Sequence, residues 1–140
     1  LTDEVFGQAL GALARGQLSF YLESCPGRLT ISGPQVNLPA DYAVPFGLVL
    51  NELATNALKH GALSGPDGTV ALSWRVEPAA EQVRRLLVEW SEKGGPGAAV
   101  RGPDGFGSTL IEKSLPDAKV TRVFGYNGLV CDIEVLLSRS

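Results

Sequence analysis

The sequence contains no methionine and one histidine, His60. Without an initiator residue the chain is expected to begin in mid-sequence at Leu1, as a domain excised or trimmed from something longer. The lone histidine confines any imidazole chemistry to one position. Cysteine is almost as scarce: Cys25 and Cys131 stand far apart with no metal-type spacing, which points to free cytoplasmic thiols. No apolar run approaches the ~20 residues of a membrane span, and no signal peptide opens the chain. Membrane contact is therefore not expected. Lys and Arg number 12 against 15 Asp and Glu, for a net charge of −3 with no basic run. That balance argues against nucleic acid as a partner.

What is present suits one domain with a single core: 140 residues, 44% hydrophobic and 19% charged. Val5, Leu10, Leu13, Leu18 and Leu22 recur at roughly helical spacing, which predicts a helix over 3–23 that Cys25-Pro26-Gly27 stops. Residues 28–32 and 36–38 read as short strands about a Gly33-Pro34 turn. A long helix is expected over about 41–60, with Phe46, Leu50, Leu53, Ala54 and Ala57 as its core-facing arc. Pro45 is placed near its start, where first-turn amides have no intrahelical partner. Val70, Leu72, Trp74 and Val76 alternate, as do Leu86, Val88 and Trp90, so these runs read as neighbouring antiparallel strands. Residues 94–107 hold six glycines and two prolines, the composition of a long functional or mobile loop. A short helix over 108–114 and a closing strand pair, 119–124 and 129–137, complete the expectation. The order gives an α/β fold of α+β two-layer sandwich type: a mixed β-sheet covered on one face by helices.

Three groups of residues carry candidate chemistry. Glu52, Asn56 and Lys59 fall at i, i+4 and i+7, so a helix stacks them on one face with His60 beside it. Asn56 offers a neutral oxygen suited to Mg²⁺, Lys59 a point charge for phosphate, Glu52 a general base, and His60 a further phosphate donor. The alternative is a solvated stripe whose C-terminal Lys and His are favoured by the helix dipole. The helix then stops at Gly61, a residue suited to the left-handed conformation that commonly ends helices. The second group is Trp90-Ser91-Glu92-Lys93-Gly94-Gly95-Pro96. There a carboxylate at a strand end could accept from the exocyclic amine of adenine and repel the carbonyl of guanine, while the glycines admit a flat ligand. A core tryptophan beside an exposed glutamate is the alternative. The third is Gly105-Phe106-Gly107-Ser108, glycines opening a helix as at an anion site, or a simple turn. Arg101 in the intervening loop reads as solvated.

In that order the three groups resemble the N, G1 and G2 boxes of the ATP-binding domain of bacterial sensor histidine kinases. More narrowly they resemble the HWE subfamily, through His60, Trp90 and Glu92, over about residues 30–137. The resemblance implies a Bergerat-type ATP-binding fold and a protein-histidine kinase domain. Asn56 would ligate Mg²⁺, Lys59 and His60 would contact phosphates, and Glu92 would hold adenine with Trp90, Gly94 and Gly95 around it. Gly105, Phe106 and Gly107 would shape the phosphate end, and residues 96–104 would form a lid over ATP. Glu52 would match the acidic base of hydrolytic relatives. The sequence departs from most histidine kinases in carrying Glu rather than Asp at the G1 position, in lacking a phenylalanine-rich box, and in its short lid. It also lacks a phosphoacceptor, because His60 sits inside the nucleotide site.

The resemblance divides the chain into residues 28–140, the catalytic domain, and 1–27, an N-terminal helix of that domain or a linker. The γ-phosphoryl would pass to a histidine on a dimerisation domain outside this chain, then to the receiver domain of a response regulator, in the bacterial cytoplasm. A non-catalytic ATP-binding or response-regulator-docking module, and an ATPase or serine kinase on the same fold, are the alternatives.

Overall fold

Alternating apolar residues build two long central strands. In the computed structural model, which describes residues 8–94, 115, 118–125 and 128–138, these are β4 (Thr69–Ala80) and β5 (Val83–Lys93). They pair antiparallel from Thr69↔Lys93 inward, with an irregularity between Pro78 and Ala80, where proline lacks a ladder donor. Gln82 makes the tight turn between them at a φ of 64°. β7 (Gly128–Ser138) pairs with the other side of β5, and β6 (Lys119–Gly125) closes that edge. At the opposite edge β2 (Leu29–Ser32) joins β4 in parallel, which makes the sheet mixed, in the order β2-β4-β5-β7-β6. A two-stranded ribbon pairs β1 (Gln8–Ala9) with β3 (Asn37–Leu38).

Helix α3 (Ala40–His60) lies over the sheet. Phe46, Val49, Leu50, Leu53, Ala54 and Ala57 are at most 1% exposed, so the apolar arc expected from spacing is its buried side. Among the described residues, no helix is long and apolar enough to cross a membrane. Pro45 is the one misplacement: the helix starts at Ala40, so the proline falls in the second turn and removes a bond to the Asp41 carbonyl.

The helix predicted over 3–23 is two helices, and residues 1–7 lie outside the described ones. β1 comes first, then α1 (Leu10–Gln17) and α2 (Ser19–Ser24), parted at Leu18 with φ −104° and ψ 10°. The Ser19 hydroxyl donates to the Gly16 carbonyl at 3.1 Å, a local bond that competes with helix continuation next to a poor helix former. Leu10, Leu13, Ala14, Leu18 and Tyr21 nonetheless share the core with the sheet and α3. The Tyr21 hydroxyl also lies 3.3 Å from the Thr55 hydroxyl on α3.

Gly61 ends α3 without the left-handed conformation expected of it, at φ −116° and ψ −146°. The chain then makes a short 3-10 turn over Ala62–Ser64 and reaches β4 through Gly65-Pro66-Asp67-Gly68. That connection is tight at one end only. A methyl on Gly68 would sit 2.0 Å from the Ala62 carbonyl oxygen, whereas one on Gly65 would meet nothing within 4 Å.

Gly68→Ala is therefore expected to destabilise the domain by about 1–3 kcal/mol, because the Ala62 backbone must move. Gly65→Ala, at an extended φ of −109°, should leave stability unchanged or raise it by up to about 1 kcal/mol. Urea denaturation of the two variants checks the contrast.

Candidate functional site

The strand period places Trp90 and Glu92 on the same face of β5 as Leu86 and Val88, turned toward α3. Glu92 is thus a carboxylate with 2% exposure, and burying it would be costly without hydrogen bonds. It has them. The Ala62 backbone N–H donates to Oε1 at 3.0 Å, and the Trp90 indole N–H donates to Oε2 at 2.9 Å.

Ala62 is gripped from its other side too. Its carbonyl accepts from the Arg28 guanidinium at 3.1 Å, and the same guanidinium donates to the carbonyls of Gly68, at 2.8 Å, and Gly65. Trp90, Glu92, Ala62 and Arg28 therefore join the end of β5, the connection after α3 and the foot of β2. Arg28 and Ala62 were not legible as site residues. Ala62 takes part through its own backbone N–H and carbonyl, and Arg28 through the backbone carbonyls it binds, so neither contact leaves a motif in the sequence.

Two residues before Ala62 the candidate helix face ends. Asn56 is buried at 8% exposure, Glu52 and His60 are half-buried, and Lys59 is exposed. The i, i+4, i+7 line thus runs along the border of the apolar arc, with its central amide turned inward and its ammonium outward. Among the described residues, no group of three or more His, Cys, Asp or Glu side chains could hold a metal. A cation at Asn56 fits only as Mg²⁺ usually binds, with one or two protein ligands, its own waters and ligand oxygens. Gly94, which follows β5, has a φ of 84°, and a methyl there would lie 3.1 Å from the Gly68 Cα, so β5 leaves the sheet against the connection. Gly95, Gly105, Phe106, Gly107, Arg101, the 96–104 segment and the 108–114 helix lie outside the described residues.

Two other features are separate from this arrangement. A cavity of about 310 Å³ lies on the far face of the sheet, among Arg75, Leu87, Glu89, Lys119 and Asp132, and includes none of the candidate residues. Cys131 faces Trp90 across β5 and β7. Burial, first, pushes its thiol up to about 12; Asp132 and Glu92 add to the rise and Arg122 opposes it. It is a core thiol, free like Cys25 and unsuited to nucleophilic work.

No family model matches the chain. A blue-light-activated histidine kinase of Rhizobium johnstonii is 34% identical over 112 residues, 77% of this chain and 31% of the relative. One from Brucella anthropi is 33% identical over 136 residues, 95% of this chain and 28% of the relative. The chain thus spans about a third of the length of the curated relatives it matches. Among solved structures, the histidine kinase domain of an Erythrobacter litoralis blue-light-activated kinase superposes with a TM-score of 0.58 at 23% identity, over 91% of this chain and 64% of that one. Histidine kinase ThkA, solved with response regulator protein TrrA, gives 0.62 at 16% identity, over 96% and 41%. ShkA, solved with AMPPNP, gives 0.51 at 18% identity, over 94% and 30%. The mixed sheet with helices on one face is the fold of these kinase domains.

The displaced Cys131 thiol gives a pH dependence with a definite sign. Its folded value of about 12 lies above the ordinary 9.0, so between these limits the folded chain keeps a proton that the unfolded chain releases. This group leaves stability untouched below pH 9. From there stability should fall by up to about 1.4 kcal/mol per pH unit. Cys131→Ala should therefore lose urea resistance less steeply than wild type between pH 9 and 11; equal slopes would remove the thiol from the effect.

Proposed function

Because the chain belongs to the histidine kinases, as an ATP-binding domain of the HWE type, we propose that it holds Mg²⁺-ATP beside the C-terminal half of α3 and donates the γ-phosphoryl to a histidine outside this chain. The observation that carries the reading is Glu92: a buried carboxylate, fixed by two donors, at a strand end bordering the helix that bears Asn56, Lys59 and His60. An aimed carboxylate accepts from the exocyclic amine of adenine and opposes the carbonyl of guanine. Gly94 lets the backbone pass close to the base.

The polar edge of α3 serves the phosphate end. Lys59, exposed at the last turn, has the reach to meet phosphate oxygens, and half-buried His60 donates beside it. Asn56 supplies a neutral oxygen ligand, and Glu52 one turn earlier orients a water or accepts a proton. Bound Mg²⁺ neutralises charge on the transferring group. Phosphoryl transfer asks mainly for such positioning and charge stabilisation, which a rigid helix provides. Gly95, Gly105, Phe106 and Gly107 would complete the site, with 96–104 as its lid. We assign residues 28–140 to the catalytic unit. Residues 10–25 pack on its core, whichever unit they derive from.

His60 lies within the phosphate-binding end, so the acceptor is placed on a separate dimerisation domain. A receiver domain of a response regulator takes the phosphoryl next. The AMPPNP bound by ShkA and the response regulator bound by ThkA support this reading from proteins of the same fold.

Thermal unfolding with nucleotide tests the proposal. ATP with Mg²⁺ at about 100 times its Kd should stabilise the domain by about 2.7 kcal/mol, and GTP by clearly less. Asn56→Ala should lose the Mg²⁺-dependent share with the fold intact, and Glu92→Gln should narrow the ATP-over-GTP preference. No response to ATP would sink the reading. With the acceptor domain added, acid-labile phosphate on histidine is expected; acid-stable phosphate on serine would reassign the activity.

A further inference from the structure

Trp90 is 1% exposed, and its ring packs in the core. Its one polar atom is nevertheless directed at the residue that meets the base. We infer that Trp90 is a positioning residue, and that its indole N–H, together with the Ala62 amide, sets purine selectivity by fixing the plane of the Glu92 carboxylate. The inference rests on the nucleotide reading above and adds to it the device that aims the carboxylate.

The geometry argues as follows. A glutamate has three side-chain torsions, so a carboxylate at its end is free to roll unless both oxygens are held. Here each oxygen has its own donor, Trp90 on Oε2 at 2.9 Å and Ala62 on Oε1 at 3.0 Å, and the donors come from different elements. Two donors on different oxygens define a plane, where one would leave a hinge. A carboxylate presents about four acceptor sites, and one donor on each oxygen sets its orientation. The backbone beneath is equally constrained. A methyl on Gly128, the first residue of β7, would lie 2.4 Å from the Glu92 carbonyl oxygen, so the strand has no room to shift sideways.

Selectivity depends on this fixity. An exocyclic amine is attracted and a carbonyl oxygen repelled only if the acceptor cannot turn away. Without the Trp90 N–H, Oε2 loses the donor that pins it, and the carboxylate can turn to relieve the repulsion. Losing the indole donor should therefore improve GTP binding relative to ATP, and not simply weaken both.

The test is a double-mutant cycle on nucleotide affinity. Dissociation constants for ATP and GTP are measured on wild type, Trp90→Phe, Glu92→Gln and the pair. Trp90→Phe should lower the ATP-over-GTP ratio about tenfold, the scale of one charge-assisted hydrogen bond. In the Glu92→Gln background the same change should move the ratio less than about twofold. If Trp90→Phe fails to fold, a benzothienyl analogue at position 90, with sulfur in place of the indole N–H at nearly the same shape, takes its place and should give the same fall. A ratio unchanged by loss of the N–H overturns the role of Trp90. So does an equal fall in the Glu92→Gln background. Both leave the nucleotide reading standing, whereas a wild type that binds no ATP overturns that reading and this inference with it.

Discussion

A carboxylate sealed inside a protein is tolerated only where hydrogen bonds replace the water it has lost, and in this domain the replacement comes from two N–H groups far apart in sequence. Ala62 and Trp90 each supply Glu92 with one such bond. Much of the local architecture follows from that need. The chain leaves α3 at Gly61, and the next residue brings its amide to the strand end. Gly68 and Gly94 close against each other, and Arg28 draws in the carbonyls on the far side of the same connection. An apolar residue at position 92 would need none of this.

Helix α3 carries two requirements at once, which is why its polar line sits at a border. Its apolar arc must lie flat on the sheet, while Lys59 sits in its last turn, where the helix dipole favours positive charge. Asn56 falls between them. A residue at that spacing from Leu53 and Ala57 cannot avoid partial burial, and a neutral amide suffers less from it than an ion would. The inward turn of Asn56 and the outward turn of Lys59 are thus consequences of helical phase alone.

That phase could be read from the sequence, and so could the strands. The alternation of Val70, Leu72 and Trp74, and of Leu86, Val88 and Trp90, marks the buried face of β4 and β5, because a period of two admits no other arrangement with one face dry. Spacing also placed Glu52, Asn56 and Lys59 together. Features that depend on backbone partners were hidden. At the Leu18 break a hydroxyl bonds to a carbonyl, the amide after Gly61 bonds to a distant carboxylate, and Arg28 binds three carbonyls. None of these leaves a periodic trace. Glu92 was legible as a charge beside glycines, but its burial was not, because a strand-end glutamate reads as exposed until its face is known.

The two tryptophans show how such polar information enters an apolar core. Trp74 and Trp90 both point inward from adjacent strands, and each fills volume no smaller residue would. A buried indole N–H requires an acceptor, so each ring also selects what lies at its rim. Trp74 donates to the Pro34 carbonyl at 2.7 Å and lies so close to Gly33 that a methyl there would come within 2.3 Å of the ring, which pins the turn between β2 and β3. Trp90 donates to Glu92. One indole therefore fixes a stretch of backbone and the other a charge, by the same physical rule. The difference lies in the acceptor. A carbonyl held in place stabilises a turn, while a carboxylate held in place keeps a negative charge at a fixed point at the end of β5.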